Sequence, residues 1–209
     1  MTNTRPLLAL LILAACQAVP TPLAEPLAVT AQGSYRHEGT RLVFPERLGA
    51  FERVAITAYD ADARDVGVGY NALLGGAPVV VTVYAYPAPQ IISIGSPPQV
   101  VESARQHLCD KVFEGEKAQI LRDHPDAVQT DEGGTGRSVS QPDEASRTAR
   151  FEHTARFPGG IAPVTGSLRL GCYLDGAWLV KTRVTTPRGR EAEGAVDDLL
   201  ADLARYRGT

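Results

Sequence analysis

This chain of 209 residues has few cysteines, a small net charge and no sequence repeat, and each of these properties excludes a class of protein. Three cysteines are too few for a small scaffold held by many disulfides. A formal net charge of -3 with 44% hydrophobic residues excludes a disordered chain and gives no reason to expect nucleic acid as a partner. The 20 glycines follow no period, which excludes a collagen-like chain.

The sequence motifs that usually carry catalysis or bind cofactors are also lacking. The chain has no Gly-x-Ser-x-Gly elbow, no His-Glu-x-x-His pair and no phosphate-binding glycine loop. Gly67-Val68-Gly69 stands in a strand pattern rather than before a helix. We therefore predict no catalytic residue, no cofactor and no metal ion, and the sequence indicates no enzyme class.

The first 15 residues are typical of a signal peptide. One positive charge, Arg5, precedes an unbroken apolar run at residues 7–13. A run this short, rising about 1.5 Å per residue, does not cross roughly 30 Å of hydrocarbon. No later apolar stretch reaches spanning length. The pattern therefore predicts a cleaved leader rather than a membrane-spanning helix.

The segment Leu13-Ala14-Ala15-Cys16 resembles the lipobox of bacterial lipoproteins. The resemblance implies cleavage before Cys16, diacylation of its thiol and acylation of the new amino terminus. Several acyl chains on one residue make a stable membrane anchor. Gln17, where Asp would favour the inner membrane, implies the periplasmic face of the outer membrane. A plain secretory signal followed by a chance cysteine is the alternative interpretation.

Lipidation of Cys16 would leave two cysteines, Cys109 and Cys172, in a compartment that permits disulfides. A bridge between them would close a loop of about 64 residues and stabilise the fold by about 4 kcal/mol in the chain-entropy model. We predict this disulfide. Two independent buried thiols are the alternative, since free cysteine behaves as a small apolar residue.

The mature chain is predicted to be a tether, residues 16–39, followed by a single domain, residues 40–209. Residues 17–33 contain three prolines and almost no charge, which favours an extended, semi-rigid segment. From residue 40 onward apolar residues recur mostly at every second position, which is typical of strands. Three strands joined by short turns, which indicate an antiparallel meander, are predicted at residues 53–59, 66–70 and 79–86.

A helical period follows the meander. Pro97-Pro98 opens the predicted helix and Asp123-His124-Pro125 ends it. Its predicted apolar stripe is Val101, Ala104, Leu108 and Val112, flanked by Cys109, Phe113 and Ile120. Residues 129–144 are polar and glycine-rich, which predicts a mobile loop.

The remaining chain is predicted to hold further antiparallel strands and a C-terminal helix. Strands are expected at residues 147–157, 164–173 and 178–186, the last two joined by an Asp175-Gly176 turn. The helix, residues 191–207, has an apolar stripe formed by Val196, Leu199, Leu200 and Leu203. We therefore predict an α+β fold, an antiparallel sheet packed by a long central helix and a C-terminal helix. Periodicity leaves open whether the helices share one sheet face.

Three segments carry a resemblance to uncharacterised envelope proteins of Gram-negative bacteria. They are Gly49-Ala50-Phe51-Glu52-Arg53, Val68-Gly69-Tyr70-Asn71 and Val81-Thr82-Val83-Tyr84-Ala85-Tyr86-Pro87. The element order also resembles the Mog1/PsbP-like fold of DcrB-type and LpqN-type lipoproteins, over roughly residues 40–207. The resemblance implies no shared catalytic site, because a fold does not determine a function.

Lys181 and Arg183 form the candidate binding site, because alternation on the last strand projects both cations from one face. Two cations at this spacing can receive a carboxylate or a phosphate. A solvated strand face is the alternative, since alternation alone produces such pairs.

The histidines and an acidic turn offer weaker candidates. His153 shares strand parity with Phe151, which fits either a desolvated base or ligand or, more commonly, a hydrogen-bonded core histidine. His37 and His124 are predicted to be solvated loop groups. A metal pair of His107 with Cys109 is disfavoured, because residues two apart on a helix diverge. The aspartates of residues 60–65 lack the glycine and glutamate of a calcium loop and predict a solvated turn.

Three functions remain open on the sequence alone. The leading hypothesis is a non-enzymatic envelope lipoprotein that acts as an interaction or accessory module, with the membrane and an envelope protein as partners. The second is a lipoprotein that binds a small anion near Lys181, Arg183 and residues 129–144. The third is an unrecognised periplasmic hydrolase, which would require His153 or an acid in an open pocket.

Overall fold

The computed structural model describes residues 25–136, 146–157 and 160–207. Within these ranges the chain forms two helices, α1 (Pro98–Asp123) and α2 (Glu193–Tyr206). The strands that the same ranges contain are, in chain order, β1 (Leu27–Ala28), β2 (Tyr35–Arg36), β3 (Val43–Phe44), β4 (Arg47–Leu48), β5 (Phe51–Ala58), β6 (Val66–Leu74), β7 (Ala77–Pro87), β8 (Val128–Gly136), β9 (Ser146–Phe157), β10 (Gly160–Leu174) and β11 (Trp178–Pro187). Neither described helix is both long and apolar enough to span a membrane.

One nine-stranded sheet organises the domain. Its order is β1-β5-β6-β7-β11-β10-β9-β8, with β4 also paired to β5, and every pairing is antiparallel. The short strands β2 and β3 form a separate ladder. The predicted α+β class with an antiparallel sheet is confirmed.

The meander β5-β6-β7 forms because its side chains alternate between the two faces of the sheet. In β7 the residues Ala77, Val79, Val81, Val83 and Ala85 are buried, while the intervening residues are half-buried. This burial of every second residue is the period-two pattern that the sequence shows. The predicted three-strand meander is present in the structure.

The two helices cover opposite faces of the sheet. Cys109, Phe113 and Ile120 of α1 share a buried cluster with Leu179 of β11. The buried residues of α2 share another cluster with Val180, the next residue of that strand. Because successive strand residues face opposite sides, α1 and α2 lie on different faces.

Helix α2 buries the predicted stripe, whereas in α1 the residues predicted to flank the stripe are the most deeply buried. Cys109, Phe113 and Ile120 are buried together with Lys117, while all four residues of the predicted stripe from Val101 to Val112 are half-buried and Val112 packs against the same cluster. The ammonium of Lys117 reaches Glu114 at 2.8 Å and Glu132 at 2.6 Å while its stem packs inward.

Part of the segment predicted to be a mobile loop is a strand of the sheet. Residues 129–136, predicted to be a loop, lie in strand β8, which pairs with β9 through two register shifts at the sheet edge. An edge strand exposed to solvent needs no apolar alternation, so its polar sequence concealed it. Residues 137–145 of that predicted loop lie outside the described residues.

Part of the predicted tether packs on the domain. β1 pairs Leu27 with Ala58 of β5. Arg53 then fastens the following segment, because its Nη2 donates to the carbonyl oxygens of Ala31 at 3.0 Å and Gly33 at 2.8 Å. The folded part therefore begins well before residue 40, and residues 16–24 lie outside the described range.

The sheet has two ends, which differ in the segments they carry. The exit end holds the β5-β6 turn, the loop of residues 88–97 that leads into α1, and the β10-β11 turn. The antiparallel pairing of β1 with the end of β5 means that the chain before Leu27 also leaves there. The far end holds the Gly75-Gly76 turn, which follows β6, and the start of α2, which follows β11, because β6 and β11 both run antiparallel to β7 and end there.

Candidate functional site

Lys181 points toward α1 and meets a carboxylate of the protein itself. Its Nζ lies 2.8 Å from both carboxylate oxygens of Glu116. The Tyr86 hydroxyl donates to Glu116 Oε1 at 3.1 Å. The two ion-paired side chains are only 14% and 19% exposed. The anion that the sequence predicts for Lys181 is therefore supplied by α1.

Aromatic rings complete the surroundings of this ion pair. Lys181 Nζ lies 4.4 Å from the ring centroid of Tyr84 and 5.5 Å from that of Tyr86, distances that allow cation–π attraction. Burial raises the pKa of Tyr86, and the neighbouring Glu116 carboxylate raises that pKa further. The Tyr86 hydroxyl therefore stays protonated and donates. This polar cluster joins α1 to the sheet.

Arg183 leaves the strand on the same face as Lys181 but lies near a pair of histidines. The rings of His124 and His153 have centroids 4.1 Å apart. Burial lowers the pKa of His124, and the positive charges of His153 and Arg183 lower it further. The structure therefore pairs Lys181 with Glu116 and leaves Arg183 within electrostatic reach of His124, rather than assembling both cations around one cleft.

His153 is a buried histidine whose Nδ1 lies 3.0 Å from the Thr154 carbonyl oxygen. His124, predicted to be a solvated loop group, is half-buried against His153, so that prediction is wrong. Cys109 is bonded to Cys172, which removes it as the thiolate partner of His107. Among the described residues, no three or more histidine, cysteine or acidic side chains are grouped as a metal ion would require.

His37 is also buried, which corrects its prediction as a solvated group. Its Nδ1 accepts the Thr40 backbone N–H at 3.1 Å, so its Nε2 carries the proton and donates to the Arg64 carbonyl oxygen at 3.2 Å. Its ring stands edge-on to Trp178, with centroids 5.1 Å apart. The turn that follows β2 is therefore built around this ring, and burial lowers the pKa of His37.

The predicted disulfide between Cys109 and Cys172 is present in the structure. It joins α1 to β10, with the two Cα atoms 6.0 Å apart. The bridge lies in the cluster of buried residues that α1 shares with the sheet. The disulfide therefore joins α1 to the sheet by a covalent bond, and the Lys181–Glu116 ion pair joins the same two elements by electrostatic attraction.

A cavity of about 320 Å³, which sequence reasoning missed, lies on the α2 face at the far end. Its lining includes three arginines and two glutamates, together with the hydroxyl groups of Ser167 and Thr165; these charged residues are Arg150, Arg169, Arg190, Glu191 and Glu193. Ser167 pairs with Arg150 across neighbouring strands, which places a hydroxyl beside a cation. We call this space the arginine cavity.

Acidic residues of α2 hold two of these arginines. Arg169 is buried and its Nη1 donates to Asp197, while Arg150 donates to Glu193. Strand parity is the signal that would have found them, since Arg169 stands between Leu168 and Leu170 and must face the other side of the sheet.

An apolar groove of about 500 Å³ opens on the α1 face, also at the far end. Its lining includes Val54, Leu73, Pro78, Val80 and Phe157. Val54 is 56% exposed and Leu73 is 73% exposed. We call this feature the far-end groove.

Together these features define a class of domain: an antiparallel sheet with one helix on each face, internally paired charges, and an apolar groove at one end. Comparison with protein-family models, curated proteins and solved structures finds no match for this chain.

Proposed function

We propose that this chain is a lipoprotein of the bacterial envelope, anchored through Cys16 at the periplasmic face of the outer membrane, and that its domain is a non-enzymatic module that binds a protein partner. The lipobox-like segment before Cys16 supports the anchor. The far-end groove supports the interaction, and it is the observation on which the proposal depends.

The far-end groove has the chemistry of a protein-binding surface. Exposed apolar side chains that gather around a depression are a common mark of such surfaces. Val54, Leu73 and Phe157 come from three strands, so the groove spans the sheet and is not the tip of one turn. Glu52 and Asn71 add polar groups to its lining, as at the rim of a typical interface. We infer that its partner is an apolar segment of another envelope protein.

The groove is tested by substitution of Leu73 in the lipidated protein. Leu73→Asp places a charge in the groove, and Ile161→Asp is the matched control because Ile161 is 67% exposed and absent from the groove lining. Cross-linking in intact cells, followed by purification from solubilised membranes, should recover the same partner with the wild type and with Ile161→Asp. Loss of that partner only in Leu73→Asp is expected. Equal recovery with both variants contradicts the proposal.

The anchor has a test of its own. Mass spectrometry of the N-terminal peptide should find Cys16 as the first residue, carrying acyl chains. Cys16→Ser should move the protein from the membrane fraction to the soluble periplasmic fraction. A mature chain that begins at another residue, or one with an unmodified Cys16, contradicts the lipoprotein interpretation.

A second candidate function is binding of a small anion, and the arginine cavity is the observation that favours it. Arginine and hydroxyl groups that converge on one depression suit a carboxylate or phosphate. Titration calorimetry with inorganic phosphate and with citrate should give saturable binding that Arg169→Gln abolishes. Arg47→Gln is the control, because Arg47 is exposed and pairs with Glu52 away from the cavity. Equal heats with both variants contradict this function.

A further inference from the structure

The loop of residues 88–97 at the exit end, which we call the exit loop, exposes isoleucine without any charged neighbour in sequence. Ile92 is 88% exposed and Ile94 is 94% exposed. Residues 66–101 contain no acidic or basic side chain, although 22% of the whole chain is charged. Exposed apolar residues are ordinary when scattered singly, but here they project together from an uncharged loop.

Aromatic and arginine side chains lie directly behind the exit loop. The guanidinium of Arg64 lies 5.7 Å from the ring centroid of Trp178, and that of Arg105 lies 5.5 Å from the ring centroid of Tyr173. These four side chains and Ile91 of the loop line a cavity of about 290 Å³. Trp178 is buried in the core, whereas Arg64 is exposed and Arg105 and Tyr173 are half-buried. Tyrosine and arginine at the base of an apolar projection are typical of a protein surface at the level of lipid headgroups.

The chain that leads to Cys16 leaves the domain at this same end. Antiparallel pairing of Leu27 with Ala58 directs the preceding residues past the β5-β6 turn. Nine residue steps separate Cys16 from Glu25, which at about 3.6 Å each allow at most about 32 Å. An anchor on Cys16 therefore holds the exit end within reach of the bilayer.

We propose that the exit loop inserts Ile92 and Ile94 into the bilayer that carries the Cys16 anchor, with Arg64 and Arg105 at the level of the headgroups. This proposal rests on the proposed lipid anchor, and it orients the domain so that the far-end groove faces away from the membrane. The exposed Asp62 and the half-buried Asp60 and Asp65 of the β5-β6 turn disfavour anionic headgroups and offset the two arginines. The insertion is therefore driven by apolar contact and favours zwitterionic lipid.

The test places a tryptophan at each end of the lipidated protein. Ile94→Trp reports on the exit loop, and Leu73→Trp is the matched control, an exposed apolar position at the opposite end. The wild type supplies the baseline emission of the single native tryptophan, Trp178. All three proteins are reconstituted in phosphatidylcholine vesicles, with and without lipids brominated on their acyl chains.

The emission added by Ile94→Trp should shift to shorter wavelength on the vesicles and be quenched by brominated lipid. The emission added by Leu73→Trp should show neither change. Replacing half of the phosphatidylcholine by phosphatidylglycerol should reduce the quenching of Ile94→Trp. Equal quenching of both variants, or no quenching of Ile94→Trp beyond the wild type, overturns the proposal.

A failure of the anchor is separated from a failure of the loop by a second preparation. The Cys16→Ser chain, with a histidine tag in place of the leader, is held on vesicles that carry a nickel-chelating lipid. Quenching of Ile94→Trp in this preparation supports the loop contact even if Cys16 proves unlipidated. No quenching in it overturns the loop contact even if Cys16 proves lipidated.

Discussion

Removal of the charge on Glu116 should destabilise the domain through the Lys181 ammonium that it leaves behind. In Glu116→Gln the side chain keeps its shape and can still accept the Tyr86 hydroxyl, so the change isolates the charge. Loss of one partner of a buried ion pair costs about 3–5 kcal/mol. Because the paired side chains remain 14% and 19% exposed, water partly solvates the ammonium, and we expect about 2–3 kcal/mol here.

The assay is unfolding by urea and by heat, each followed by Trp178 fluorescence and by far-ultraviolet circular dichroism. For a domain of this size a loss of 2–3 kcal/mol corresponds to a fall in Tm of about 5–10 °C. Glu114→Gln is the matched control on the same helix, since Glu114 is 65% exposed and its partner Lys117 keeps Glu132. That control should cost less than about 1 kcal/mol.

The explanation also predicts recovery in a double variant. Lys181→Met combined with Glu116→Gln removes both charges, so no ammonium is left unpaired, and stability should return to within about 1 kcal/mol of the wild type. The reasoning is refuted if Glu116→Gln costs no more than Glu114→Gln. It is also refuted if the double variant is as unstable as the sum of the two single variants.

Three further predictions concern stability. Replacing Cys109 and Cys172 together by Ser should cost about 4 kcal/mol, since the bridge closes a loop with a sequence separation of 63, and unchanged urea midpoints would contradict this. Burial lowers the pKa of His37 in the folded protein, so the unfolded chain takes up a proton more readily than the folded protein as pH falls below about 6.5. Tm should therefore fall between pH 7 and pH 5, and His37→Gln should reduce that fall. Gly39→Ala should destabilise the domain by about 1–3 kcal/mol in thermal unfolding, because the added Cβ would lie 2.0 Å from the indole ring of Trp178. The control Gly115→Ala should instead stabilise the domain by about 0.5–1 kcal/mol, because its added Cβ meets nothing within 4 Å on α1.

The elements that bury one regular face could be predicted from the sequence. Strand β7 alternates buried and half-buried residues over most of its length, and α2 repeats leucine at helical spacing. Each such pattern requires only local information, because one face of the element is buried more deeply than the other. The meander, the Asp175-Gly176 turn and α2 are therefore found where the sequence predicts them.

The contacts of elements whose buried face contains a charged residue could not be predicted in this way. Lys117 occupies the buried face of α1 because Glu114 of the same helix and Glu132 of strand β8 neutralise it. In the same way, strand parity predicts the face from which Lys181 projects but not the Glu116 that covers it. Such pairings depend on which elements meet in space, and one sequence does not contain that information.

The attachment of β1 has a mechanical consequence for a domain held by its amino terminus. Tension on Glu25 would load the two residue pairs of β1 and β5 first. Once they opened, about four residues, or roughly 14 Å of extended chain, would be released before load reached the Val29 N–H, which donates to the Ile56 carbonyl oxygen at 2.9 Å. Behind that bond the Arg53 guanidinium holds the Ala31 and Gly33 carbonyl oxygens. A pull on the proposed anchor at Cys16 would thus lengthen the connection while the central strands stayed unloaded.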